Sequence, residues 1–316
     1  MKILVTGSNG FVGKHLCKKL QERHNVIKSG SSDNYDLTDM SDCKTIFNFH
    51  HPEVVIHLAA KVGGIGANQK NPGIFMRDNL WMGLNIINCA TWYDVKKFIM
   101  LGSVCAYPKY CPIPFKEKDL WNGYPEETNA PYGIAKKTLM ELIISYHKQW
   151  DFNGINLVPV NMYGPNDMFD PEKSHVIPAI VLKVYRAIIK GANKITIWGS
   201  GDASREFLYV EDCVKAIALA LEKENIGPEP INIGTGQEIK ICHLVDMICE
   251  KMGYNGRIDF DKSKPDGQPR RCLDISRARK VLGYKPSIDL STGLDRTIEW
   301  FLQNREKMHA YLNYIQ

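Results

Sequence analysis

Lys2-Ile3-Leu4-Val5-Thr6-Gly7-Ser8-Asn9-Gly10-Phe11-Val12-Gly13 decides how the rest of the chain is read. A short β-branched run meets three glycines at G-x-x-G-x-x-G spacing. Val12, Leu16 and Leu20 then recur four apart, which is the spacing of one helix face. A strand, a tight turn and a helix start make a natural anion cradle. Bare Cα positions let the backbone approach a phosphate, and the first helical turn supplies unpaired N–H groups and the positive end of the helix dipole. Gly7, Asn9, Gly10, Phe11, Val12 and Gly13 are therefore candidates for holding the pyrophosphate of a dinucleotide. An ordinary glycine turn has the same composition, but this one sits inside a strand–helix–strand unit.

Working outward, strand and helix alternate. Val26–Ile27 starts a second strand, and Val54–Leu58 is a third, uniformly apolar like a strand covered on both faces. Asn79–Trp92 reads as helix, Phe98–Gly102 as strand, Pro131–Trp150 as a long helix and Ile155–Val160 as strand. This rhythm predicts an α/β fold, a Rossmann-type doubly wound parallel sheet. The second half is less regular. Asn161–Lys173 reads as loop, Ile177–Lys190 as helix, Lys194–Trp198 and Phe207–Val210 as strands, Glu211–Glu224 as helix, Pro230–Ile233 as strand and Leu290–Leu312 as an amphipathic helix. The expected division is a dinucleotide-binding domain over 1–162, about 200–236 and a later segment, and a smaller α/β substrate lobe over about 163–199 and 237–316, interleaved in sequence.

Composition narrows the function classes. The 316 residues are 44% hydrophobic and 24% charged, ordinary for a globular protein with a full core. A net charge of +5 without a Lys/Arg block gives nucleic-acid binding little support. The apolar runs Val54–Ala60 and Ile177–Leu182 are far shorter than the roughly 20 residues of a membrane span. The N-terminus has no signal-peptide pattern, so the expected place is the cytoplasm. Nine scattered cysteines without a Cys-x-x-Cys pair fit neither a disulfide framework nor a zinc site, and no metal is expected.

The second strand ends Lys28-Ser29-Gly30-Ser31-Ser32. An NAD site usually carries an acid there for the ribose 2′-hydroxyl. A cation with hydroxyls suits a 2′-phosphate instead, so NADP is expected, with Asp33 the main argument for NAD. Asp36 and Leu37 are expected at the adenine.

Tyr132 and Lys136 lie one helical turn apart and share a face. A lysine ammonium beside a phenol favours the phenolate and tunes it as an acid–base. Ser103 ends a predicted strand, and Tyr132 opens the next predicted helix, which brings both to one rim of the sheet. A surface Tyr-x-x-x-Lys pair is common by chance; the placement of Ser103 weakens that reading.

These residues resemble the extended short-chain dehydrogenase/reductase family over almost the whole chain. Five linked motifs narrow the resemblance to its epimerase/reductases of GDP-4-keto-6-deoxy-D-mannose. They are His57-Leu58-Ala59-Ala60-Lys61-Val62-Gly63-Gly64-Ile65, Gly102-Ser103-Val104-Cys105-Ala106-Tyr107-Pro108, Asn161-Met162-Tyr163-Gly164-Pro165, Ser174-His175-Val176-Ile177-Pro178-Ala179, and Trp198-Gly199-Ser200-Gly201 through Arg205-Glu206-Phe207. Lys264-Pro265-Asp266-Gly267 through Pro269-Arg270-Arg271 fits the substrate lobe of that branch. The chain departs from some members in Ser8-Asn9, in lacking an arginine at the tip of the second strand, and in Lys183 where an arginine occurs.

The resemblance implies an NADPH-dependent enzyme that inverts C3 and C5 of the 4-keto sugar and then reduces C4, giving GDP-L-fucose. It makes Cys105 the base and His175 the acid of epimerisation. It makes Ser103 the group on the keto oxygen, Tyr132 the proton donor to it, and Lys136 the residue on the nicotinamide ribose. Leu58, Ala59, Ala60, Asn161 and His175 are expected to border the cofactor. Asn161, Lys183, Trp198, Arg205, Asp266 and Arg271 are expected to meet the nucleotide sugar. A lone cysteine or histidine is more often structural; their neighbours here reverse that.

A 4-epimerase of the same fold needs no second acid–base pair. A 4,6-dehydratase would want an acid beside the serine, and Ser103-Val104-Cys105-Ala106 has none. A non-catalytic dinucleotide-binding regulator is the reading from a different class. The helices Asn79–Trp92 and Pro131–Trp150 carry apolar residues beyond one buried face (Trp81, Ile86, Leu139, Leu142, Ile143). Such helices often pair across a two-fold axis in the family this chain resembles, which implies a homodimer, the alternative being burial within one chain.

Overall fold

The computed structural model describes residues 1–30, 34–170 and 174–308. The first half runs β1 (Lys2–Thr6), α1 (Phe11–Leu20), β2 (Asn25–Lys28), α2 (Met40–His50), β3 (Val54–His57), α3 (Ile65–Lys70), α4 (Pro72–Trp92), β4 (Lys97–Leu101), α5 (Ala130–Trp150) and β5 (Gly154–Pro159). The second half runs β6 (Asn161–Tyr163), α6 (Val176–Lys190), β7 (Lys194–Trp198), β8 (Ser204–Tyr209), α7 (Val210–Glu222), β9 (Ile231–Ile233), β10 (Glu238–Lys240), α8 (Ile241–Met252), β11 (Arg257–Asp261), α9 (Ser276–Leu282) and α10 (Leu290–Asn304).

Six parallel strands form the main sheet in the order β2-β1-β3-β4-β5-β9. Helices cover both faces, so Ile3, Leu4, Val5, Val55, Ile56, Ile99 and Met100 are fully buried, which explains the unbroken apolar runs. The strand order reverses between β1 and β3. Ligands of open α/β sheets bind outside the carboxyl ends of strands at such a point. Gly7 follows β1 there, and Leu58 follows β3.

A second hydrophobic cluster joins Tyr163, Phe169, α6, β7, α8 and α10 through Ile177, Val181, Ile197, Leu244, Ile248, Leu294 and Phe301. Two small sheets attach to it, β10-β8-β6 and β11-β7.

Several sequence expectations need correction. Asn161–Tyr163, read as loop, is a strand, because Asn161, Met162 and Tyr163 pair in parallel with Phe207, Leu208 and Tyr209. A distant partner supplies the ladder that local composition does not announce. The elements α2, α3, α8, α9, β10 and β11 went unread. The C-terminal helix stops at Asn304, a 3-10 turn follows to Met308, and the rest of the expected helix lies outside the described residues. Of the five residues taken to sign a dimer, Ile86, Leu139 and Ile143 are core, because α4 and α5 pack closely on each other at Gly83. Trp81 stays 52% exposed and Leu142 half-buried. No helix among the described residues is long and apolar enough to cross a membrane.

Candidate active site

The glycine turn is shaped by backbone contact. Gly7 has φ +68°, and a Cβ there would meet the Ala59 nitrogen at 2.7 Å. A Cβ on Gly13 would stand 2.1 Å from the Gly7 carbonyl oxygen. Both positions exclude side chains, which brings the turn, the start of α1 and the segment after β3 together. Gly10 caps α1 with no side chain to occupy the first N–H groups, so these donors remain for an anion. The cradle therefore fits a pyrophosphate. Thr6 ties the two strand ends: its hydroxyl accepts from the Ala59 amide at 3.2 Å and bonds His57 Nδ1 at 2.8 Å. Leu58, Ala59 and Ala60 are half-buried at this edge.

Leu37 belongs to the core, its carbonyl accepting from Asn85 Nδ2 at 3.0 Å, so only its backbone can border an adenine. Asp36 is exposed, and its Oδ1 accepts from the Thr38 amide and hydroxyl. Ser31, Ser32 and Asp33 lie outside the described residues.

Ser103 follows β4 and caps a 3-10 turn over Val104–Ala106, its Oγ accepting from the Cys105 amide at 3.1 Å. That leaves the hydroxyl proton free to donate. Tyr132 stands in the first turn of α5 and Lys136 one turn on. Gly133 explains how α5 approaches so closely: a Cβ there would lie 2.2 Å from the Cys105 carbonyl oxygen. Burial raises the Tyr132 pKa, as does the nearby Cys105, while the Ser103 hydroxyl acts in the opposite sense. Lys136, 2% exposed, donates to the Leu101 carbonyl at 2.9 Å. Burial lowers its pKa to about 8. The ammonium is thus turned to the strand end in this state, and the phenol keeps its proton.

Cys105 is half-buried, with Arg271 Nη1 3.8 Å from its Sγ. The same nitrogen donates to Asn161 Oδ1 at 3.2 Å, and Asn161 Nδ2 donates to the Glu206 carbonyl at 3.1 Å. Arg205 donates to the Ser204 and Asp266 carbonyls at 2.7 and 2.8 Å, and burial, with Arg271 second, lowers its pKa to about 9. The Asp266 carboxylate caps the Ser200 turn, accepting from its amide at 2.7 Å and its hydroxyl at 2.8 Å.

Lys183 on α6 donates to the Thr196 carbonyl, and burial lowers its pKa. Trp198 is 60% exposed at the end of β7 with the Lys264 ammonium 5.5 Å from its ring centre. His175 caps α6 with extended backbone. Its residue is exposed, and desolvation holds its pKa below the ordinary imidazole value. Among the described residues it makes no hydrogen bond to the Ser103–Cys105–Tyr132 group.

Three participants escaped the sequence reading. Gly133 was hidden inside the Tyr-x-x-x-Lys spacing. Gln268 is buried and braces Arg271 (Nε to Oε1, 3.1 Å). Glu206, fully buried beside Arg205, accepts from the amides of Leu273 and Gly236 at 2.6 and 2.7 Å and from that of Thr235. A carboxylate in the apolar run around β8 was the one available signal.

Residues 3–234 match the NAD dependent epimerase/dehydratase family. GDP-L-fucose synthase 1 of Arabidopsis thaliana is 40% identical over 306 residues, 96% of this chain and 94% of the relative. A GDP-6-OMe-4-keto-L-xylo-heptose reductase from C. jejuni superposes with a TM-score of 0.89 at 28% identity, covering 96% of this chain and 98% of that one. A GDP-L-fucose synthetase from Naegleria fowleri bound to NADP gives 0.87 at 29% identity, covering 96% and 95%. The glycine cradle, the parallel sheet and these likenesses agree: the chain belongs to the NAD dependent epimerase/dehydratase family and, within it, groups with the GDP-L-fucose synthases.

Proposed function

We propose that this protein is an NADPH-dependent epimerase/reductase that converts GDP-4-keto-6-deoxy-D-mannose to GDP-L-fucose. The observation that carries the reading is the close packing of Ser103, Cys105 and Tyr132, through Gly133, at the same strand-end edge of the sheet as the dinucleotide cradle.

The protons at C3 and C5 are acidic because the C4 ketone can take up charge as an enolate. Cys105 as thiolate removes a proton from one face, while the Ser103 hydroxyl donates to the developing oxyanion. His175 returns a proton to the other face. Its lowered pKa makes it the stronger acid once charged, but leaves less of the charged form at neutral pH. In the second reaction bound NADPH supplies the hydride to C4. Tyr132, kept protonated by burial and by Cys105, delivers its proton to O4. Lys136 holds the nicotinamide ribose, and its ammonium offsets the negative charge left on the Tyr132 phenolate. Asn161 positions the sugar, and Lys183, Trp198 and Arg205 serve the nucleotide end.

The proposed work is divided between a dinucleotide domain (1–162, about 200–236 and a later segment) and a substrate lobe (about 163–199 and 237–316). We infer a homodimer through the outer faces of α4 and α5, where Trp81 of α4 is 52% exposed and Trp121, whose ring lies against Lys137 of α5, is 43% exposed. Sedimentation would read a single chain mass if that face stays open. The cytoplasm, where soluble nucleotide sugars are made, is the proposed location.

The test is NADPH with GDP-4-keto-6-deoxy-D-mannose in deuterated water. Loss of NADPH absorbance with deuterium at C3 and C5 supports both activities. Reduction without ring deuterium leaves a 4-reductase, the reading favoured by the heptose-reductase likeness. No oxidation of NADPH removes the proposal.

A further inference from the structure

Arg271 lies in the polar segment before α9, where a surface charge is expected, yet it is only 6% exposed. Its Nε donates to Gln268 Oε1 at 3.1 Å, and its Nη1 to Asn161 Oδ1 at 3.2 Å. That Nη1 also lies 3.8 Å from Cys105 Sγ. Gln268, 2% exposed, is held in turn: its Nε2 donates to the Pro108 and Lys109 carbonyls, 3.0 Å each. Those carbonyls follow directly on the turn that carries Cys105. Gln268 therefore ties the guanidinium to the thiol's own segment, and Asn161 ties it to β8 through the Glu206 carbonyl. A clamp for a flexible diphosphate would leave its fork free to meet the ligand. Here Nε and Nη1 are both engaged inside the protein, with the sulfur against Nη1.

We propose that Arg271 is the charge partner of Cys105, a positioning residue that keeps this thiol as the thiolate and so keeps the epimerisation base armed, rather than a ligand of the diphosphate. The proposal rests on the reading of Cys105 as that base. Among the described residues, the charged or titratable groups that face the thiol are Tyr132 from α5, Arg205 from β8 and Arg271 from the segment before α9. Two are cations, which favour the thiolate. The third is a phenol, which a thiolate keeps protonated. The arrangement thus sets the proposed base and the proposed acid side by side, with the cations against the sulfur. The thiol proton goes to solvent before the sugar binds, and the thiolate then takes the ring proton.

The experiment measures, on the full-length protein, the pH dependence of iodoacetamide alkylation at Cys105 by mass spectrometry, and of deuterium wash-in at the sugar ring. Arg271→Met should move both midpoints up by about one to three pH units, the range for losing an opposite charge at contact distance. Arg271→Lys should restore part of the shift, and KM should change little. Unmoved midpoints with a raised KM would make Arg271 a diphosphate ligand and overturn the proposal. Cys105→Ser tests the underlying reading separately: if ring deuterium persists there, Cys105 is not the base, whatever Arg271 does. If Arg271→Met does not fold, Gln268→Leu frees the guanidinium without removing its charge. It should shift the alkylation midpoint upward by a smaller amount, and no shift counts against the proposal.

Discussion

Gly133 rests its bare Cα against the carbonyl of Cys105, so that the helix bearing Tyr132 and the turn bearing the thiol share one contact surface. A Cβ at Gly133 would lie 2.2 Å from that oxygen, and the atom it meets is backbone, which cannot rotate away. Gly133→Ala must therefore push α5 and the Ser103–Cys105 turn apart. A displacement near 1 Å at a reacting centre costs about a hundredfold in rate, and overpacking costs about 1–3 kcal/mol of stability. The expected outcome is a large fall in kcat with a small fall in unfolding midpoint. Gly73→Ala, where a Cβ meets nothing within 4 Å, is the control and should keep full activity. Equal rates for the two variants would mean that the contact positions nothing.

His57 gives the protein an acid-sensitive limb. The ring is 1% exposed at the end of β3, and burial, with the Lys136 charge second, lowers its pKa to about 3. The unfolded chain has the ordinary imidazole value near 6.5. Because the folded pKa is depressed, the unfolded state binds more protons between these values. Stability should therefore fall as pH drops from about 6.5 toward 3. Lys136 follows the same sign at the other end. Its folded pKa of about 8 lies below the ordinary lysine value, so the cost of burying its charge is present at neutrality and is relieved as pH rises from about 8 toward 10.5. Urea unfolding at several pH values should show a shallower acid limb in His57→Gln than in the parent. Parallel curves would show that another group carries the acid loss.

Glu206 should matter more than its distance from the chemistry implies. Its carboxylate gathers the amides of Thr235, Gly236 and Leu273, so one side chain joins β8, the turn after β9 and the segment that begins at Arg271. Burial raises its pKa, and those three donors pull it back. Glu206→Gln keeps the shape but points an amide donor at backbone donors. Each buried group left unsatisfied costs about 1–3 kcal/mol. We expect a lower unfolding midpoint and a raised KM for the nucleotide sugar, since Arg205, assigned to the nucleotide end, is the next residue. An unchanged KM in a destabilised protein would limit Glu206 to the fold.

What was legible in the sequence was local. Gly7, Gly10 and Gly13, the one-turn spacing of Tyr132 and Lys136, and the buried runs of β1, β3 and β4 each state their business within a dozen residues. What was illegible needs two distant segments at once. Asn161–Tyr163 becomes a strand only because Phe207–Tyr209 lies beside it. Gln268 looks like a loop amide until Pro108 and Lys109 claim it. Arg271 could be read as a charge, but not as one turned inward to Asn161 and Cys105. Ile86, Leu139 and Ile143 misled because a helix packed against both a sheet and another helix is apolar around more than one face.

Lys28 offers the sharpest test of cofactor choice. It ends β2, exposed, with its strand neighbour Val5 one residue from the phosphate turn's leading edge at Thr6. Gly30, two residues on, takes φ +77° and donates its amide to Ser8 Oγ at 3.4 Å, which draws the tip of β2 toward the cradle. A 2′-phosphate bound past that tip would meet a cation rather than an acid. Hydrogen bonds to charged groups contribute about 1.5–3 kcal/mol, so Lys28→Glu should lower kcat/KM for NADPH by about tenfold or more. The same change leaves the 2′-hydroxyl of NADH with a carboxylate to donate to, and kcat/KM for NADH should hold or rise. Steady-state rates with the two cofactors decide it. If both fall together, Lys28 supports the loop without reading the phosphate. If neither moves, discrimination resides elsewhere along the cofactor.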